Sequence, residues 1–259
     1  MTTKKSQGHR ASQWDHFREF GFAYFPKVFT PDEVKIFRQE SDRIQDVWAR
    51  QADITGEILR WISVTGADGV PVLRAAQNIH KYSEVFGDLQ AHAALIEVLS
   101  QYLGNDIVSV VNSLFWKEPG RQKTSISFHQ DAVFRNPPAS YRNLDTSYVQ
   151  LGVAIDEHGP HNGGLQFFPG SHASGKLFEL GDQSVLSGEI DADVCRQLGV
   201  ADTQIHNVEL APGDVVVWSP YTLHGSPPNT SKSQNRRFFV SGYMKASECD
   251  FGHKITGRV

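Results

Sequence analysis

Cysteine and methionine are scarce in this chain, two of each in 259 residues. Cys195 and Cys249 make neither a CxxC knuckle nor a disulfide framework. Such sparse use fits free structural thiols in a reducing, cytoplasmic compartment. Long apolar runs are also missing: nothing approaches the roughly 18 residues a spanning helix needs, so no membrane partner is expected. The opening MTTKKSQGHRAS is polar, lacks the apolar core of a signal peptide, and leads us to expect a loose tail over residues 1–11. No polybasic run is present and the net charge is -4, which argues against nucleic acid as a partner. Without internal repeats or low-complexity stretches, the expectation is a single domain over 1–259, a monomer or homodimer with a small-molecule partner.

What the chain does have is order along its length, helices first and strands after. Ser12 is placed to cap a short helix carrying Trp14, Phe17 and Phe20 that stops at Gly21, and FAYFPKVF reads as a first strand. Thr30-Pro31-Asp32-Glu33 is a capping box with proline at the first helical position, and Val34, Phe37, Ile44 and Trp48 carry that helix to about Arg50. A further helix is predicted across DLQAHAALIEVLSQYLG, ended by Gly104. From Asp106 the texture changes to DIVSVVNSLFW, SISFHQDAVF, YVQLGVAID, GGLQFFPG, HNVELAPG, DVVVWSP and RRFFVSGYM, separated by Gly, Pro, Asn and Ser turns. Strands this short and this close together predict a mainly β fold, a sandwich or barrel with helices packed outside it.

One of these runs carries chemistry. In SFHQDAVF, the alternation of side chains along a strand puts His129 and Asp131 on one face and Gln130 on the other. Alone, an HxD pair is more often a core histidine hydrogen-bonded to an acid than a grip on an ion. His224, near the end of DVVVWSPYTLHGSPPN, changes the balance. Two histidines and a carboxylate form the facial triad of non-heme Fe(II) oxygenases, which leaves three positions of an octahedron open. Iron of this kind draws electrons from a co-substrate such as 2-oxoglutarate, whose distal carboxylate suits the planar fork of arginine. RRFFVSGYM opens on Arg236 and Arg237; neighbours on a strand face opposite ways, so only one of them points inward, and the alternative for either is a solvated edge charge.

These residues carry a family resemblance that covers nearly the whole chain. FREFGFAYFPKVFTPDEVKIFRQESDRI, SLFWKEPG followed by SFHQD, NGGLQFFPGSHASGKL, and HGSPPNTSKSQNRRFFVSGY together resemble the phytanoyl-CoA dioxygenase family of Fe(II)- and 2-oxoglutarate-dependent oxygenases. The resemblance implies a double-stranded β-helix, a cupin-like jelly roll, with N-terminal helices outside. It implies His129, Asp131 and His224 as iron ligands, Arg236 as partner of the distal carboxylate, and Ser226 as its helper, with no catalytic residue beyond the metal ligands. Asn235 stands where the family's spacing puts the arginine, so Arg236 implies one residue inserted in the turn and Arg237 implies two. Halogenating relatives replace the carboxylate by Ala or Gly; Asp131 occupies that position here, which favours hydroxylation of an unactivated C–H bond with O2 as oxidant and release of succinate and CO2. Epimerisation, cyclisation or desaturation by the same fold, and a non-catalytic metal-binding barrel, are the alternatives.

Other groups have simpler readings. His158, His161 and His172 lie in a Gly- and Pro-rich stretch that predicts a surface turn rather than a second metal cluster. Trp116, Phe128, Phe167 and Trp218 read as core. Lys117 either faces the cofactor or guards a sheet edge. The segments expected to border the pocket are 75–86, 134–147 and the insert from Phe178 to about His206. Within the first two, Asn78, Arg135 and Arg142 are the candidate substrate contacts, suited to a small polar or anionic molecule such as an amino-acid derivative or secondary metabolite.

Overall fold

The computed structural model describes residues 3–50, 60–65, 69, 71–120, 125–177 and 205–255. Helix α1 spans Thr3–Phe20. It begins well before the Ser12 cap, so residues 3–11 are helical rather than a loose tail. Lys, Gln, Arg and Ala in that stretch are good helix formers, which is sufficient to carry the backbone on. Gly21, at a φ of 86°, ends α1, and β1 follows at Phe22–Phe25.

Helix α2, Pro31–Arg50, opens on the expected box: the Thr30 amide donates to Glu33 Oε2 at 2.7 Å, and the Glu33 amide donates to Thr30 Oγ1 at 3.3 Å. The single helix expected across residues 88–103 is instead two, α3 at Glu84–Gln90 and α4 at Ala93–Leu103. The break falls at Ala91–His92, where the His92 imidazole accepts from the Ala94 amide at 3.3 Å and starts α4 afresh. Apolar spacing alone does not reveal such a side-chain cap.

The strands are β2 (Arg60–Thr65), β3 (Pro71–Gln77), β4 (Ile107–Lys117), β5 (Ile126–His129), β6 (Tyr148–Ala154), β7 (Gln166–Phe167), β8 (His206–Asn207), β9 (Val215–Trp218), β10 (His224–Ser226), β11 (Arg236–Lys245) and β12 (His253–Lys254). A four-residue helix, α5 (Leu144–Ser147), precedes β6. Two antiparallel sheets result. The major sheet runs β1-β9-β6-β11-β4-β3-β2, with β12 on β4; the minor sheet runs β5-β10-β7-β8. This is the jelly roll. β2 and β3 are additions that the sequence did not suggest, because Arg74 and the alanines of PVLRAAQ carry little strand signal.

Alternation along the central strands builds both layers of core. Val149, Leu151 and Val153 of β6, Val215 and Val217 of β9, and Phe239 of β11 pack outward against Phe17 of α1, Phe37 and Ile44 of α2, Phe86 of α3 and Leu99 of α4. Ala154, Val216, Trp218 and Phe238 point the other way and meet Phe22 and Phe167 between the sheets. The candidate site borders this inner layer, where Trp218 is hydrogen-bonded to Asp131 and packs against the His224 ring. Among the described residues no helix is long and apolar enough to cross a membrane.

Candidate metal centre

The strand read in SFHQDAVF ends early. β5 stops at His129, Gln130 is fully buried, and Asp131–Phe134 form a 3-10 turn. His129 and Asp131 still converge because Gln130 is anchored on the far side: its Nε2 donates to the carbonyls of Gly175 (2.8 Å) and Tyr221 (2.6 Å), and its Oε1 accepts from the Leu177 amide (2.7 Å). The Ala132 amide donates to Pro220 O at 3.0 Å and staples the turn to the loop before β10. His224 opens β10 directly across from His129 in the minor sheet.

The ligating atoms of His129, Asp131 and His224 all lie within 4.8 Å of one another. His129 Nε2 is 4.0 Å from Asp131 Oδ1, and His224 Nε2 is 3.6 Å from Asp131 Oδ2. Donors about 2.1 Å from one first-row ion and at right angles to each other lie about 3.0 Å apart, so closing on a metal from one face needs the ligand atoms to approach one another by about 1–2 Å. Each ring is already oriented for it. His129 Nδ1 donates to Ser127 O (2.8 Å) and His224 Nδ1 to Thr222 O (2.9 Å), which leaves both Nε2 lone pairs facing the centre. Asp131 Oδ2 accepts from Trp218 Nε1 at 2.8 Å. Burial, reinforced by the neighbouring His224, lowers the His129 pKa to about 4, so the ring is neutral, as a ligand must be. Among the described residues this is the one cluster of three ligand-type side chains.

Deeper between the sheets lies a cluster of cations. Arg236, 2 % exposed, pairs in register with Lys117, 3 % exposed, and Arg74 of β3 is buried as well. Lys117 Nζ donates to Ser226 O at 3.2 Å and also bonds Ser226 Oγ and Pro227 O, which rules out the edge-guard reading. The Arg236 guanidinium lies 5.7 Å from the Phe238 ring centre, and its Nε and Nη2 are buried with no hydrogen-bond partner. Burial pulls its pKa down to about 9 despite the attraction of Asp156, and burial beside Arg236 and Arg74 drives Lys117 well below the lysine range. Asp156 itself is taken by Arg237 Nη1 (2.9 Å) and Arg38 Nε (3.0 Å). Thus Arg236 turns inward and Arg237 outward, to Asp156 and to Asp42 at 2.6 Å.

His158 departs from the surface-turn reading. It is 1 % exposed, accepts from the Leu165 amide through Nε2 at 2.7 Å, and leaves Nδ1 buried without a partner beside Phe238, 4.6 Å between ring centres. His161 and His172 do lie nearer solvent, bonded to Gln234 and to Arg18 O respectively. Of the three candidate substrate contacts, Arg135 is brought to the site. Its guanidinium donates to the Tyr148 hydroxyl at 2.8 Å, and the two elements meet beside Asp131. Arg142 is held elsewhere by Asp250 (2.8 Å) and Ser247 O (3.0 Å). Asn78, half-buried in a left-handed conformation, starts the turn after β3. The insert expected to border the pocket lies, over 178–204, outside the described residues. Sequence reasoning missed Arg74, His158 and the role of Trp218; an arginine inside an otherwise apolar PVLRAAQ was the available signal for the first.

Residues 17–238 match the profile of the family described as "Phytanoyl-CoA dioxygenase (PhyH)". The chain belongs to this family. A relative from Stutzerimonas stutzeri, named "Probable alpha-ketoglutarate-dependent hypophosphite dioxygenase", is 25% identical over 239 residues, covering 91% of this chain and 79% of that protein. The crystal structure of AviO1 from Streptomyces viridochromogenes Tue57 superposes with a TM-score of 0.69 at 26% identity, covering 92% of this chain and 96% of that one. EctD from S. alaskensis, solved with 2-oxoglutarate and 5-hydroxyectoine, has the same fold, with a TM-score of 0.69 at 22% identity, covering 92% of this chain and 77% of that one. As a PhyH-family protein, the chain is a non-heme Fe(II)- and 2-oxoglutarate-dependent dioxygenase that acts on a small molecule with O2 as oxidant.

Proposed function

We propose that His129, Asp131 and His224 hold the iron, that Arg236 with Ser226 and Lys117 holds the distal carboxylate of 2-oxoglutarate, and that the reaction is hydroxylation of a C–H bond in a small molecule. The observation that carries the co-substrate assignment is Arg236, a buried guanidinium whose Nε and Nη2 have no partner and whose neighbouring acid, Asp156, is already paired with Arg237 and Arg38. Buried charge without a counter-charge costs several kcal/mol, and a dicarboxylate removes that cost here while taking up the orphaned donors. When bound, iron supplies the activation of dioxygen; the chain supplies three ligands, a closed hydrogen-bond set that fixes their orientation, and an anion cradle that aligns the co-substrate with them. The sparse cysteines and the net charge of -4 agree with a cytoplasmic monomer or homodimer that binds neither nucleic acid nor membrane.

Anaerobic titration of the purified protein with Fe(II) and then 2-oxoglutarate tests the reading through the weak visible charge-transfer band of a chelated keto acid. We expect the band in the wild type and its loss in Asp131→Ala, where one of three ligands is gone. Iron binding without any band in the wild type would leave a metal-holding barrel instead.

A further inference from the structure

One further cation near the triad, Arg135, half-buried as a residue but with its Nε fully buried, has no part in the iron and 2-oxoglutarate assignment. Along the inner face of the major sheet, the register sets Arg236 opposite Lys117 at one end and Phe238 opposite Ala154 next. Gly242 then stands opposite Gln150, and Gln150 opposite Trp218, whose indole holds Asp131. One step beyond, Met244 faces Tyr148, and the Tyr148 hydroxyl accepts from Arg135 Nη2. The triad therefore sits between two cationic ends, with Arg236 and Lys117 on one side and Arg135 on the other.

Arg135 follows directly on the 3-10 turn that begins with Asp131, so three residues fix it to a metal ligand. Its guanidinium stacks over the Tyr148 ring, 5.1 Å from its centre, and the Tyr148 hydroxyl passes its own proton on to Gln150. Nε is buried and donates to nothing. Among the described residues no carboxylate lies within 4.0 Å of this guanidinium; Asp131, the acid whose charge reaches it, belongs to the metal. A guanidinium offers five donors in a planar fork, stays charged when buried, and matches an oxyanion better than any other side chain does. A tyrosine hydroxyl uses one of those donors and neutralises none of the charge.

We propose that Arg135 is the anchor for an oxyanion on the substrate, so that this enzyme oxidises a small acid, a carboxylate or a phosphorus oxyanion, rather than a neutral molecule. The inference rests on the iron and 2-oxoglutarate reading and adds the substrate class to it. Holding the acid at the Arg135 side leaves the co-substrate's own acid at the Arg236 side, and each cation discriminates by position rather than by charge alone.

The test uses the full chain loaded anaerobically with Fe(II) and 2-oxoglutarate, which occupies the Arg236 end. Methylphosphonate and acetate are titrated at constant ionic strength by calorimetry, each against a neutral counterpart, dimethyl methylphosphonate and acetamide. We expect at least one acid to bind saturably and its neutral counterpart not to; preference for methylphosphonate indicates a phosphorus oxyanion and preference for acetate a carboxylate. Arg135→Gln is expected to weaken that binding tenfold or more, Arg135→Lys to retain part of it, and both to bind 2-oxoglutarate as the wild type does. Acids that bind no better than their neutral counterparts to the wild type, or equally well to Arg135→Gln, would overturn the proposal. Should Arg135→Gln fail to fold, the wild-type comparison of acid with neutral probe decides alone. A wild type that binds no 2-oxoglutarate sinks the underlying reading, and this one with it.

Discussion

At the scale of single residues, the proposed metal site depends on groups outside its three ligands. Trp218 spends its only donor on Asp131 Oδ2, and it does so from the major sheet while Asp131 stands at the end of a minor-sheet strand. Removing such an outer partner ordinarily costs 10- to 100-fold in metal affinity. Trp218→Phe keeps the ring that packs against Phe167 and loses the N–H, so we expect Fe(II) binding weakened about tenfold or more in a competition titration; an unchanged affinity would reduce Trp218 to packing. The arginine pair makes the complementary case. Arg236→Ala removes the unpaired guanidinium and is expected to raise the 2-oxoglutarate Kd by about 100-fold, in line with loss of a charge-assisted bidentate contact. Arg237→Ala breaks ion pairs with Asp42 and Asp156 and is expected to change stability while leaving that Kd within about twofold. The opposite outcome would mean that the inserted residue in the turn is counted wrongly.

At the scale of elements, glycine marks where strands must let a large side chain through. A Cβ on Gly152 of β6 would lie 2.1 Å from the Phe238 ring, the ring against which both Arg236 and His158 pack. Gly152→Ala should therefore displace Phe238 and cost about 1–3 kcal/mol, the usual penalty of overpacking, read from urea denaturation. A cost near zero would show that the ring has room to move. Elements also show what a sequence makes legible. The Thr30–Glu33 box, the outward Val149-Leu151-Val153 stripe and the inward Trp218 and Phe238 are local patterns, and they are readable because their period is set by backbone geometry. The end of β5 at His129 is not local: it follows from Gln130 binding the carbonyls of Gly175 and Tyr221, both distant in the chain. Likewise the break before α4 depends on which atom the His92 ring faces, and β2–β3 owe their place to pairing with β4 rather than to their own composition.

At the scale of the whole molecule, the triad was legible because an HxD motif and a later histidine are chemically distinctive, and Arg236 was legible through the family resemblance, with Lys117 as one of two readings; the cluster they form with Arg74 and His158 was not. Arg74, Lys117, His158 and Arg236 lie on separate segments, and only the closing of β3, β4 and β11 into one sheet, with the chain after β6 folded over its end, brings them together. The assembly has a thermodynamic consequence. His158 faces Arg236 from β11 and Lys117 from β4, with Phe238 beneath its ring and the Leu165 amide on Nε2; burial first, and then those two charges, hold its pKa well below 6.5. The folded state therefore refuses a proton that the unfolded chain accepts. As pH falls through about 6.5 the unfolded state binds more protons, and stability must decline. For one histidine that stays neutral when folded, lowering pH from 7.5 to 5.5 removes about 1.4 kcal/mol. His129, with its pKa near 4, contributes in the same direction, so the difference between proteins isolates His158. We expect urea midpoints of the metal-free protein to fall between those two pH values and to fall less, by about that amount, in His158→Phe, which keeps an aromatic ring on Phe238. Equal losses in the two proteins would show that the cation cluster admits a proton at His158, and that the cradle is less electropositive than its geometry requires.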